Sequence, residues 1–188
     1  ILTESTRAYD IGEVYKAQFQ FKTTGKIEYI KESVDMDTLA IYDGAGFLTL
    51  YGVEKREVIE IIGAEEYDSF GSYGFTFLGE DRFVYINIDG NACVYDLETG
   101  SVSKKLEEDI FQVDADMRGN YLLLQGYDDC YQVYDGNTLE KLGTTPVMLS
   151  DLSGNYQLVS SEGILADVSI TMEEGNSTYS LFFVDLNT

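Results

Sequence analysis

Val94-Tyr95-Asp96-Leu97-Glu98-Thr99-Gly100 is followed, 39 residues on, by Val133-Tyr134-Asp135-Gly136-Asn137-Thr138. In each, an apolar residue and a tyrosine end an alternating run, and an aspartate opens a turn. Related endings occur at Ala8-Tyr9-Asp10-Ile11-Gly12, Leu50-Tyr51-Gly52-Val53-Glu54-Lys55 and Phe183-Val184-Asp185-Leu186-Asn187-Thr188. The matching positions are 9, 51, 95, 134 and 184, with separations of 42, 44, 39 and 50. A period of roughly 40–50 residues is the length of one four-stranded antiparallel unit.

Each interval has the same grammar. Residues 110–114 form a short alternating run, and Asp116-Met117-Arg118-Gly119-Asn120 reads as a turn. Tyr121-Leu122-Leu123-Leu124-Gln125 is continuously apolar, as expected of a strand buried on both faces. A second turn, Gly126-Tyr127-Asp128-Asp129, leads to strands at 131–134 and 139–143. The preceding interval runs through 75–78, 83–88, the hairpin signal Asp89-Gly90-Asn91, 93–95 and 101–106. The turn Asp151-Leu152-Ser153-Gly154-Asn155-Tyr156 repeats the 116–121 pattern and predicts the second strand of the last interval directly after it. That interval is enlarged. Ala166, Val168, Ile170 and Met172 alternate with Asp167, Ser169 and Thr171, which predicts a lengthened strand or an extra hairpin. Insertions in repeats map to loops and often to a binding face, so Asp167, Met172, Glu173, Glu174 and Asn176 are candidate interaction residues.

Composition agrees with an all-β chain. There are 15 Tyr, 10 Phe, 18 Gly and one Pro, and no helical periodicity of useful length. The expected fold is a β-propeller of about four four-stranded antiparallel blades in a single domain, 1–188. The repeats fall at about 1–22, 26–62, 73–108, 110–145 and 147–188. Tyr15, Ala17, Phe19 and Phe21 alternate with Lys16, Gln18, Gln20 and Lys22 as in an outer strand. Three arrangements stay open: part of a larger propeller, a ring closed by this N-terminal strand, or two copies sharing one ring. A start without Met reads as a processed or excised chain, so the sequence leaves the compartment open.

Asp-x-x-Gly-Asn-Tyr-Leu followed by Val-Tyr-Asp-x-x-Thr resembles the repeats of WD40-like and PQQ-like propellers, over about residues 8–188. The resemblance implies a scaffolding or sensing role. The WD40 Gly-His and Trp-Asp pairs are missing, as is the tryptophan motif of PQQ-like blades, so no family site residue carries over.

With no histidine, Ser-His-Asp and Cys-His nucleophile systems and histidine-based zinc sites are excluded within this chain. Cys93 and Cys130 form no C-x-x-C motif and read as small buried hydrophobes. A net charge of −22 disfavours nucleic acid and anionic lipid and reads first as a soluble, self-repelling surface, with a cationic partner or divalent cations as the sharper readings. No apolar run is long enough for a membrane-spanning helix. Residues 114–125 begin like an EF-hand loop but carry Arg118 at position five and Gln125 at position twelve. Asp35 with Asp37, and Asp128 with Asp129, are the weak candidates for holding a hard cation. The leading expectation is a non-catalytic module that binds a protein or peptide within a larger protein, with no cofactor. The alternative is part of a cofactor- or glycan-binding propeller enzyme whose active residues lie outside this chain.

Overall fold

The structure is a computed structural model, and it describes residues 22–63, 74–127, 130–145, 157–160, 162–173 and 176–187. The described residues are all-β, with fifteen strands and no helix. The strand segment expected at residues 15–21 and the turn expected at 151–156 lie outside them.

The strands form four antiparallel meanders in chain order. Sheet 1 is β1 (Ile27–Glu32), β2 (Thr38–Asp43), β3 (Leu48–Gly52) and β4 (Glu57–Ile62). Sheet 2 is β5 (Phe75–Leu78), β6 (Arg82–Ile86), β7 (Ala92–Asp96) and β8 (Ser101–Lys105). Sheet 3 is β9 (Ile110–Ala115), β10 (Tyr121–Gly126), β11 (Tyr131–Asp135) and β12 (Lys141–Thr144). Sheet 4 holds three strands among the described residues: β13 (Gln157–Val159), β14 (Ile164–Glu173) and β15 (Asn176–Asp185).

Three cores lie between consecutive sheets. Ala40, Tyr42 and Leu50 of sheet 1 meet Phe75, Phe83 and Tyr85 of sheet 2. Val84, Ile86 and Val94 of sheet 2 meet Val113, Leu122 and Leu124 of sheet 3. Leu123 and Val133 of sheet 3 meet Leu165, Val184 and Leu186 of sheet 4. Side chains alternate along a strand. Phe83 and Tyr85 therefore face backward to sheet 1, while Val84 and Ile86 face forward to sheet 3. This double burial is why the second strands are unbroken apolar runs, whereas β8 and β12, the outer strands of sheets 2 and 3, are exposed throughout.

The repeated Val-Tyr-Asp ending has a mechanical role. The pairing of third and fourth strands slips by a bulge between Leu50 and Tyr51, between Val94 and Tyr95, and between Val133 and Tyr134. Bulges strengthen twist and re-aim side chains. The Tyr95 hydroxyl donates to Glu60 of sheet 1 (3.3 Å), and the Tyr134 hydroxyl donates to Glu107, just past β8 (2.5 Å). The aspartate then fixes the turn: Asp96 accepts from Thr99 N, and Asp135 from Asn137 N and Thr138 N. Asp185 accepts from Asn187 N in sheet 4.

The fourth sheet corrects one strand assignment. In sheets 1 to 3 the residue after the third strand donates its N–H to the carbonyl just before the second strand: Val53 to Asp37, Leu97 to Asp81, Gly136 to Asn120. The counterpart in sheet 4 is Leu186 to Gly163. Ser160 and Gly163 thus bound the first turn of this sheet, and β13, expected as a second strand, is the first. The Ser160 hydroxyl accepts from Ile164 N, as Ser33 does from Thr38 N. The enlargement consists of longer second and third strands, ten residues each against six and five in sheet 3. Two smaller differences follow from turns. Leu139 adopts φ 57°, a turn conformation, so the outer strand of sheet 3 begins at Lys141 instead of 139. Cys130 lies just before β11 and is half-buried, while Cys93 is buried in β7, which pushes its thiol pKa up.

Candidate functional site

Asp35 sits in the turn between β1 and β2, where its carboxylate accepts from the Ser33 hydroxyl (2.6 Å) and from Asp37 N (3.1 Å). These donors hold its pKa below the usual carboxylate range. Asp37 borders a second groove, about 510 Å³, together with Glu54, Glu57 and Glu80. Among the described residues no group of three or more metal-ligating side chains converges. Asp128, Asp129 and Glu174 lie outside the described residues. The backbones of Asp167, Met172, Glu173 and Asn176 lie on the long β14–β15 hairpin, with Glu173 paired to Asn176 at its end. The structure thus places Asp35 and Asp37 in the first sheet's turn and the described hairpin residues in the fourth sheet.

It brings together a different set. The first strands of sheets 1, 2 and 3 converge, β1 on β5 and β5 on β9. Register locates the convergence. Lys31 pairs with Ala40, Thr76 with Val84, and Asp114 with Leu123. Counted from the start of each second strand, these are equivalent positions. Lys31, Thr76 and Asp114 therefore occupy one level of three successive sheets, and they form the floor of a cleft of about 510 Å³.

The walls are the two turns above this floor. Residues 33–38 and 116–121 match position by position. Met36 N donates to Ser33 O and Gly119 N to Asp116 O, each at 2.9 Å. Ser33 caps one turn through Thr38 N (2.9 Å), and Asp116 caps the other through Tyr121 N (2.6 Å) and Arg118 N (3.0 Å). With their polar ends held, the turns present apolar side chains outward. Val34 and Met117 hold equivalent places, at 40% and 78% exposure, beside Met36 at 66% and Ile30 at 53%. Met36 keeps a positive φ of 61°, which only a few per cent of non-glycine residues adopt.

The floor is electrostatically tense. The Lys31 ammonium donates to Phe75 O (2.5 Å) and lies 5.0 Å from the centre of the Phe75 ring. Burial pushes its pKa down, and the charge of Asp114 offsets this only in part. Burial pushes Asp114 up, against the pull of Ala115 N (2.9 Å) and of Lys31. The two line the same cleft but form no described ion pair, the Lys31 ammonium being turned onto Phe75. Desolvated charges of opposite sign held apart in a concavity are a binding-site arrangement. With Lys31 engaged by Phe75, Asp114 is the floor charge left to orient a bound group.

Sequence reasoning missed this set because 83 residues separate Lys31 from Asp114. The available signal was the alignment of the two turns, which puts Val34 on Met117 and Lys31 on Asp114. No protein-family model matches this chain, and no curated protein matches it.

Proposed function

We propose that the four sheets are blades of a β-propeller and that the chain is a non-catalytic module which binds a protein or peptide. The reading of the sheets as blades rests on their chain-order meanders, the core between each consecutive pair, and the convergence of register-equivalent first strands. The binding role rests on one observation above the rest. The cleft over Lys31, Thr76 and Asp114 carries four exposed apolar side chains at its rim, Ile30, Val34, Met36 and Met117, brought together from two separate stretches of chain. An apolar rim around a few placed polar groups is the anatomy of a recognition site.

A photo-crosslinking experiment tests this. p-Benzoylphenylalanine is placed at position 117, and separately at position 102 on the exposed strand β8, and each variant is irradiated in extract from its source cells. Discrete adducts from position 117, absent from position 102, are the expected result. Equal labelling from both positions, or none, contradicts the proposal.

A further inference from the structure

We infer that the cleft takes a peptide segment that combines basic and apolar side chains. This rests on the binding-module reading and adds the chemistry of the partner.

The charge inventory points one way. Of the ionisable residues lining the cleft, Glu32, Asp114 and Asp116 are acidic and Lys31 is basic. The Lys31 charge is turned inward, onto the Phe75 carbonyl and ring. Asp116 is buried, its carboxylate occupied by two turn amides. Glu32, which is exposed, and Asp114, which is half-buried on the floor, remain to meet a ligand. Outside the lining, the flanking turns carry exposed Asp35 and Asp37 on one side and exposed Arg118 on the other. A cationic side chain entering between β1 and β9 meets Asp114 below and Glu32 at the side. Its apolar neighbours rest on Met117, Met36 and Val34. Thioether side chains suit this task, because they adapt their shape to different apolar partners. An anionic segment would gain the same apolar contacts but bury its charge against these carboxylates.

The experiment uses three fluorescein-labelled heptapeptides, alternating leucine with lysine, with glutamine or with glutamate, and reads anisotropy on the full chain. The lysine peptide is expected to bind most tightly. Asp114→Asn and Met117→Ser should each weaken it about five- to tenfold, roughly the loss of one charge-assisted or one well-packed contact. Val102→Ser on β8 should leave it unchanged. Glu32→Gln, at an exposed position, supplies a charge test in case Asp114→Asn perturbs folding. If the glutamine or glutamate peptide binds at least as well and still depends on Met117, the charge inference falls while the binding-module reading stands. If the lysine peptide binds but ignores Asp114, Glu32 and Met117 alike, its attraction is to the acidic surface in general and the inference is overturned. If no peptide binds, the inference and this assignment of the cleft fall together.

Discussion

The cleft and the long hairpin of sheet 4 are assembled in opposite ways. The cleft draws on three stretches of chain, residues 30–36, 76–77 and 114–117, brought side by side by the packing of three sheets. The hairpin is one continuous stretch, β14 paired with β15 from Ile164↔Asp185 to Glu173↔Asn176. A surface made by convergence depends on the cores behind it. A local hairpin depends mainly on its own ladder. The contrast makes the two surfaces separable by mutation.

The largest effect should come from the core behind the cleft. Phe83 is fully buried and packs against the rings of Phe75, Phe77 and Tyr85. Phe83→Ala should lower the unfolding free energy by about 3–5 kcal/mol in a denaturant titration. It should also abolish peptide binding at concentrations where the chain is still folded. Full binding by the folded variant would break the dependence of the cleft on its core.

Gly119→Ala comes next. A Cβ at Gly119 would lie 2.5 Å from Gly79 N, at a φ of +72°. Met36 occupies the equivalent turn position in sheet 1 with a similar φ, so the approach of two backbones, more than the dihedral, demands glycine here. The substitution should cost roughly 2–4 kcal/mol, whereas Met36→Gly should shift stability by less than about 1 kcal/mol. Equal effects would show that the two turns are not distinguished by sheet packing.

Tyr95→Phe probes the tie between sheets 1 and 2 and should cost about 1 kcal/mol at neutral pH. Burial, with Glu60 beside it, pushes the Tyr95 hydroxyl up to about 12. The folded state therefore holds this proton more tightly than the unfolded chain, whose tyrosines titrate near 10. The contribution is full below about pH 10 and is lost as pH rises through about 12. In thermal melts across that window, the wild type should lose more stability than Tyr95→Phe. Identical slopes would remove the hydroxyl from the account.

Much of the fold was legible in the sequence because its signals are local. In sheets 2 and 3 the Val-Tyr-Asp endings, the Asp89-Gly90 turn and the apolar second strands each encode one strand or one turn, and each is found where its pattern points. The lengthened hairpin was legible for the same reason, through the alternation of Ala166, Val168, Ile170 and Met172. Its place in sheet 4 was not. The choice between 151–156 and 160–163 as the first turn depends on a hydrogen bond from Leu186 to Gly163, a contact across 23 residues. The cleft was hidden more deeply. Lys31 and Asp114 are unremarkable in their own strands and acquire meaning only when register sets them at one level. Asp35 and Asp37 drew notice as paired acids, but Asp35 is engaged in forming its turn.

Amide chemical-shift mapping with the lysine-leucine heptapeptide asks directly whether the cleft or the hairpin binds. It is run on the wild type and on a chain in which Val168 and Leu181, paired in the structure, are joined by Asn-Gly. Shifts concentrated at 30–34, 36, 76–77 and 114–117, with the same affinity for both proteins, are the expected result. Shifts confined to 164–185, or binding lost with the shortened hairpin, would contradict the cleft assignment.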